Sequence, residues 1–171
     1  MKITVLGAGA WGTAIAVSLS ARHELVLWGR DSGQCQAIAA ARCNQRYLPE
    51  IALPPQLAIE AGFAAAVSAA ELVLVATPTA ALRDMLARLA PLNKPVVWLC
   101  KGFEPESAEL PHQIAAEVLP GGSAYGVLSG PSFALEVARG LPTALTLASA
   151  TAGFSQATAR ALHGPRLRVY F

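Results

Sequence analysis

Three glycines near the amino terminus constrain the fold of this chain more than any other feature. Gly7, Gly9 and Gly12 in "GAGAWG" follow an apolar run, Lys2–Leu6, and precede a helix-like stretch, Trp11–Ala21. This order predicts a buried strand that turns sharply into a helix. It favours a loop for the diphosphate of a dinucleotide, with Gly7 in the turn, Gly9 beside the ligand and Gly12 between helix and sheet. A glycine-rich turn that binds nothing is the alternative.

The remainder of the chain alternates short β-type runs with longer alanine-rich segments of helical character. This alternation predicts an α/β fold with a Rossmann-type, doubly wound and mostly parallel sheet. The predicted strands are Lys2–Leu6, Glu24–Trp28, Leu57–Glu60, Leu72–Ala76, Val96–Leu99, Ala124–Leu128, Ala144–Ala148 and Leu167–Tyr170. The predicted helices are Trp11–Ala21, Ser32–Arg42, Thr79–Leu89, Leu110–Leu119, Ser132–Arg139 and Thr151–His163. Between them, the proline-rich stretch Tyr47–Gln56 is expected to be a rigid loop.

Length and composition exclude several classes of protein. The chain has 171 residues, of which 54% are hydrophobic and 14% charged, with a net charge of +2. These values indicate one well-packed domain, residues 1–171, with no broad attraction to nucleic acid. No apolar run reaches the roughly 20 residues of a membrane span, so we expect a cytoplasmic protein without membrane contact. The three cysteines form no metal-binding spacing, and we expect reduced, buried thiols.

The end of the second predicted strand bears on the choice of cofactor. NAD sites place a carboxylate about 20 residues past the glycines, where it binds the ribose hydroxyls. Here Gly29 stands near that position and is followed by Arg30 and Asp31. The planar guanidinium of Arg30 suits a 2′-phosphate, which favours NADP(H). Asp31 leaves NAD(H) open, and Arg30 as a solvated loop residue remains the alternative.

A second group of candidate residues lies where later strands end. Lys101 directly follows the strand Val96–Leu99, at the carboxyl edge where open α/β sheets bind ligands. After the strand Ala124–Leu128, Gly130 turns the chain and Ser132 is expected to open a helix and to face the same edge. The alternatives are a surface charge for Lys101 and a simple helix cap for Ser132.

Other polar and aromatic residues are assigned structural roles. We expect Trp28 and Trp98 to lie in the core. Surface or capping positions are expected for the three histidines: His23, His112 and His163. A solvated helix start is expected for the cluster of Glu104, Glu106 and Glu109.

Five motifs carry a resemblance to known proteins: "GAGAWGTAIA" (7–16), "LWGR" (27–30), "NQRYLP" (44–49), "CKGFE" (100–104) and "SGPSFALEVARGLPTA" (129–144). Together they resemble those of the bacterial NAD(P)-dependent glycerol-3-phosphate dehydrogenases. The resemblance extends over essentially the whole chain. The first motif is common to many dehydrogenases, whereas the last two are specific.

The resemblance implies roles for individual residues. It makes Lys101 a contact of both cofactor and substrate, and Gly130 and Ser132 substrate-binding positions. Pro78 sets a turn that borders the nicotinamide. The further cofactor contacts that it implies are Ala10, Trp11, Arg30, Tyr47 and Ala134.

The resemblance also implies an activity: interconversion of dihydroxyacetone phosphate and sn-glycerol 3-phosphate with NAD(P)H, for phospholipid synthesis. In the family a helical C-terminal domain carries the catalytic lysine, and no lysine follows Lys101 in this chain. We therefore expect a piece of a two-domain enzyme that binds cofactor without turnover and whose uncovered apolar face favours a homodimer. The alternatives are another two-domain NADP dehydrogenase, of the ketopantoate or 6-phosphogluconate type, and a non-catalytic NADP-sensing module.

Overall fold

The computed structural model, which describes residues 1–171, contains one eight-stranded sheet and one two-stranded ribbon. The strand order in the sheet is β10-β9-β8-β7-β6-β1-β2-β5, and β3 pairs with β4 in the ribbon. The strands are β1 (Lys2–Leu6), β2 (Glu24–Trp28), β3 (Cys43–Asn44), β4 (Leu48–Ala52), β5 (Ala58–Glu60), β6 (Leu72–Val75), β7 (Val96–Trp98), β8 (Tyr125–Ser129), β9 (Thr143–Ala148) and β10 (Leu167–Tyr170).

Seven α-helices connect these strands. Two short 3₁₀ turns, Thr79–Ala81 and Ala90–Leu92, flank the fourth helix. The helices are α1 (Ala10–Leu19), α2 (Ser32–Ala41), α3 (Phe63–Ser68), α4 (Leu82–Leu89), α5 (Pro111–Val118), α6 (Ala134–Ala138) and α7 (Phe154–Leu162). None of them has the length and apolar character that crossing a bilayer demands.

The sheet confirms the predicted fold class. Every neighbouring pair in it is parallel except β8 and β9, which run antiparallel. The chain moves outward from β1 to β2 and β5 on one side, and through β6, β7 and β8 on the other. The strand order therefore reverses between β1 and β6, the kind of position at which open α/β sheets form a ligand crevice.

Helices cover both faces of the sheet, which explains the near-continuous apolar strands. Ile3 and Val5 of β1 pack into a core cluster with residues of α1, α6 and α7. Leu6, on the opposite face, packs with residues of α3, α4 and α5. All four residues of β6 are buried because each face meets a helical layer. Trp28 and Trp98 lie in the second cluster, as expected.

The proline-rich stretch is not only a loop, contrary to the expectation. Within it, Leu48–Ala52 forms β4, which pairs antiparallel with β3. Pro49 is tolerated there because each strand of a two-stranded ribbon has an unpaired edge, where no ladder hydrogen bond is lost. Leu48 and Ile51 are buried in the first core cluster and fasten the ribbon to the domain.

Several helical segments differ from the sequence expectation, including α7, which begins at Phe154 and not at Thr151. The helix expected from Ser132 begins at Ala134, because Phe133 is still extended and serves as the N-cap. The segment expected to be one helix from Thr79 opens with a 3₁₀ turn, and α begins at Leu82. Helix α3 was not predicted, because six residues are too few to display a helical period.

Candidate functional site

The glycine loop joins β1 to α1 in the predicted way. Gly7 has a φ of +123°, and a Cβ there would lie 2.8 Å from the carbonyl oxygen of Ala76. A Cβ on Gly12 would lie 1.9 Å from the carbonyl oxygen of Gly7. Side chains are therefore excluded at both positions by the protein's own backbone.

Gly9 differs from Gly7 and Gly12 in the space around it. An added Cβ would have no atom within 4 Å, so the space beside Gly9 is open. The first helical hydrogen bond runs from the Thr13 N–H to the Gly9 carbonyl at 3.0 Å, and the amides that precede it form the open end of α1. Free N–H groups and the helix dipole at such an end attract a phosphate.

The open side of the loop faces a cleft of about 1380 Å³ at the reversal of strand order. Four cationic side chains line this cleft (Arg30, Arg46, Arg88 and Lys101), against two carboxylates (Asp31 and Asp84). The volume exceeds that of ordinary small-molecule pockets, roughly 300–1,000 Å³, and the excess of positive charge suits a long anionic ligand. The predicted residues that line the cleft are Gly7, Gly9, Ala10, Trp11, Arg30, Tyr47, Pro78 and Lys101.

At one end of the cleft, β2 passes into α2 through Gly29, Arg30 and Asp31. A Cβ on Gly29 would lie 2.6 Å from the Cys35 sulfur, so any side chain at this position would require Cys35 to shift. The Asp31 carboxylate accepts a hydrogen bond from the Gln34 N–H at 3.1 Å and caps α2. The exposed guanidinium of Arg30 makes no ion pair or hydrogen bond within the chain and is available to a ligand.

At the other end, Lys101 lies in the loop after β7. The Lys101 ammonium donates to the carbonyl of Gly130 at 2.8 Å, which brings together two residues predicted to bind substrate. The Thr79 hydroxyl donates to the Lys101 carbonyl at 2.8 Å. The loop is therefore held from the segment that carries Pro78.

An ion-pair cluster that the sequence did not reveal lies just beyond Lys101. The Arg83 guanidinium of α4 donates to the carboxylates of Glu104 at 2.9 Å, Glu109 at 2.5 Å and Glu117 at 2.8 Å. The Ser107 hydroxyl also donates to Glu104, which is 7% exposed. The expectation of a solvated helix start is wrong for Glu104, because the loop folds this carboxylate back onto Arg83.

These contacts shift the pKa values of the partners. Hydrogen bonds from Arg83, and then from Ser107, hold the pKa of Glu104 below its ordinary value. Hydrogen bonding to Arg83 also lowers the pKa of Glu117. The pKa of Arg83 is raised, chiefly by its hydrogen bonds to Glu104 and then to Glu117. Glu104 and Glu117 are therefore held in the charged form that suits the cluster.

The predicted residues after β8 lie outside the lining of the cleft. Gly130 packs against β9, where a Cβ would lie 2.7 Å from the Ala144 carbonyl oxygen. The Ser132 hydroxyl is buried and has no hydrogen-bond partner. Ala134 packs against the first core cluster. Of these three, only Gly130 is hydrogen-bonded to Lys101, through its carbonyl oxygen.

A glycine loop at a strand-to-helix turn, beside a reversal of strand order, defines a Rossmann-type nucleotide-binding class of α/β domain. Comparisons with known proteins narrow this class. The family model of the NAD-dependent glycerol-3-phosphate dehydrogenase N-terminus matches residues 2–155. The chain belongs to this family.

Individual relatives agree with the family match. The glycerol-3-phosphate dehydrogenase (NAD(P)+) of Thiobacillus denitrificans is 55% identical over 172 residues, which is 99% of this chain and 52% of the relative. That of Aromatoleum aromaticum is 53% identical, with the same shares of both chains. A crystal structure of glycerol-3-phosphate dehydrogenase from Coxiella burnetii superposes with a TM-score of 0.89 at 36% identity, over 99% of this chain and 53% of the other. The chain thus spans about half the length of these relatives.

Proposed function

We propose that this chain binds NADP(H) in the cleft and forms the cofactor-binding half of a glycerol-3-phosphate dehydrogenase. The observation that carries the proposal is the open space beside Gly9 at the free amide end of α1. The diphosphate would lie against these amides. Family membership supports this assignment over a different dehydrogenase or a sensing module.

Two features support the orientation of the cofactor. Arg30 stands free at the β2 end, where the adenosine ribose lies in Rossmann-type sites, while Asp31 is engaged as a helix cap. The nicotinamide end would lie towards Pro78 and Lys101, on the other side of the glycine loop. We infer a preference for the 2′-phosphorylated cofactor from the availability of Arg30, with NAD(H) as a weaker ligand.

The proposed reaction interconverts dihydroxyacetone phosphate and sn-glycerol 3-phosphate. When bound, the nicotinamide supplies the hydride. Lys101 lies at the carboxyl edge of the sheet and presents a cation to the substrate phosphate, and Gly130 and Ser132 would complete that side. The cofactor would contact Ala10, Trp11 and Tyr47 in the cleft walls. Ala134 packs against the core outside the cleft, and its proposed contact with the cofactor rests on the resemblance alone.

We further propose that these 171 residues bind cofactor without turnover. The resemblance assigns the proton donor to a lysine, and none follows Lys101 here. Phe103 and Phe133 are 64% and 72% exposed, which favours self-association of this chain into a homodimer. An absorbance assay with NADPH and dihydroxyacetone phosphate tests the first statement, and sedimentation tests the second.

The binding proposal is tested by titrating the chain with NADPH and NADH and following cofactor fluorescence. We expect saturable binding of both, tighter for NADPH. If neither nucleotide binds at millimolar concentration, the proposed function is wrong. Tighter binding of NADH would overturn the preference but leave the dinucleotide site intact.

A further inference from the structure

Asn44 is a polar side chain that is completely buried directly behind the glycine loop. It lies in β3, is 0% exposed, and its amide nitrogen makes two hydrogen bonds. One runs to the carbonyl oxygen of Ala8 at 3.0 Å and the other to the hydroxyl of Thr13 at 2.8 Å. The Oδ1 atom of the same amide is buried without a hydrogen-bond partner, which costs stability, so the two bonds of the nitrogen indicate a specific role.

The neighbours determine which way round the Asn44 amide sits. A carbonyl oxygen such as that of Ala8 only accepts hydrogen bonds, so the amide NH₂ group must face it. The Gln34 side chain approaches the same oxygen from α2 and donates to it at 3.1 Å. The Ala8 carbonyl is therefore held by two amide groups that come from separate parts of the chain.

Holding this carbonyl also orients the next amide. The chain contains no cis peptide bond, and in a trans peptide the C=O and N–H groups point in opposite directions. The Ala8 carbonyl is directed at Asn44 and Gln34, so the Gly9 N–H is directed away from them. That N–H has no acceptor within the protein.

We propose that Asn44 is a positioning residue for the diphosphate of the cofactor, with Gln34 as its partner. By fixing the Ala8–Gly9 peptide, the two amides aim the Gly9 N–H at the open space before α1 and keep it there when no ligand is present. This inference rests on the proposed function, because it assumes that the ligand of the loop is a dinucleotide.

The test compares Asn44→Asp with the unaltered chain. Asp replaces the donor that faces Ala8 with an acceptor, which repels the carbonyl and allows the peptide to rotate. We expect NADPH to bind at least about tenfold more weakly, a loss of about 1.4 kcal/mol. 2′-AMP, which carries the adenosine end without a diphosphate, should bind as it does to the unaltered chain by NMR titration. Asn93→Asp, the same change at an exposed site away from the cleft, should alter neither affinity.

The combination of two ligands separates positioning from a structural role. Equal weakening of NADPH and 2′-AMP would overturn the proposal, because general damage affects both ends of the site. Unchanged NADPH binding would overturn it as well. If Asn44→Asp does not fold, Gln34→Met decides. It removes the second donor to Ala8 from a side chain that also lines the cleft, and we expect NADPH to bind more weakly while 2′-AMP binds as before. An unaltered chain that does not bind NADPH would overturn the proposed function itself, and the role of Asn44 with it.

Discussion

Two parts of the cleft, the glycine loop and the Lys101 end, are constructed on different principles. At the glycine loop, the candidate ligand-binding groups are backbone amides, and the geometry follows from residues only five positions apart, Gly7 and Gly12. At the Lys101 end, the candidate group is the Lys101 side chain, and the loop that follows it is tied to Arg83. The carboxylate partners of Arg83 lie 21 to 34 residues away in sequence. Local stereochemistry preorganises the glycine loop, whereas ionised groups from separate elements preorganise the Lys101 end.

The difference predicts opposite sensitivities. The glycine end should respond strongly to added side-chain volume and little to pH. The Lys101 end should respond to protonation and charge. Four substitutions, taken in decreasing order of expected effect, test whether this contrast holds.

Gly12→Ala should have the largest effect. Its Cβ would meet the Gly7 carbonyl oxygen at 1.9 Å, and backbone cannot yield as a flexible side chain does. We expect the free energy of unfolding to fall by about 3 kcal/mol, which lowers the melting temperature by about 10 °C for a chain of this size. Thermal unfolding by circular dichroism measures this. An unchanged melting temperature would show that the loop relaxes and is not rigid.

Gly9→Ala, three residues earlier, should leave stability unchanged and affect only binding. Its φ of −82° accommodates alanine, and the new methyl group would enter open space. That space is where the diphosphate is proposed to lie, so NADPH should bind at least about tenfold more weakly. Fluorescence titration and a melting curve of the same sample separate the two effects. A lower melting temperature with normal affinity would contradict this assignment of the space.

Arg30→Ala should have an effect of the same kind but confined to one cofactor. The Arg30 side chain is exposed and free of partners, so its loss should not change folding. We expect NADPH to bind up to about tenfold more weakly, with NADH unchanged, because only NADPH carries the 2′-phosphate. Arg46→Ala removes another cation of the same cleft, one that is stacked on Tyr47, and should not discriminate between the two cofactors. Equal losses for both cofactors would mean that Arg30 contacts the shared adenosine.

Glu104→Gln should have the smallest effect, and one that depends on pH. Because the pKa of Glu104 is held below its ordinary value of 4.5, its charged form stabilises the fold at neutral pH. This stabilisation is present above pH 4.5 and is lost as the pH falls through the lowered pKa. Glu104→Gln should therefore lower the melting temperature at pH 7 and flatten its decline in acid.

Glu106→Gln is the matched control for this prediction. Glu106 lies two residues from Glu104, is exposed and makes no ion pair. Glu106→Gln should therefore leave the melting temperature unchanged both at pH 7 and in acid. Identical pH profiles for the two variants would show that the Arg83 cluster does not support the Lys101 loop. An equally large effect of pH on a variant of the glycine loop would remove the contrast between that loop and the Lys101 end.

Much of the fold could be predicted because the signals are local. The strands of the sheet can be recognised as short apolar runs, since burial on both faces demands apolar residues throughout. The glycine loop could be predicted as well, because its steric requirements fall on residues that are close together in the sequence. The sequence did not predict helix α3, the β4 strand within a proline-rich stretch or the delayed start of α6. Each is short, and packing against the rest of the domain decides its conformation.

The candidate site divides in the same way. Gly7, Gly9 and Lys101 could be placed at the cleft from their positions after strands, because parallel strands end at a common edge. The partners of Glu104 could not be found, since nothing local in "CKGFE" indicates an arginine on another helix. Asn44 was visible within a motif, but its contact with Ala8 exists only once the ribbon folds over α1.

The sequence alone determined the class of fold, the position of the strand-to-helix turn and the family to which the chain belongs. All three depend on apolar periodicity, glycine stereochemistry or motif order, which operate over short stretches. Only the tertiary structure decided which polar groups meet: Arg83 with its carboxylates, Lys101 with Gly130, and Asn44 with Ala8. The physical reason is that hydrogen bonds and ion pairs are short-ranged in space but indifferent to separation along the chain.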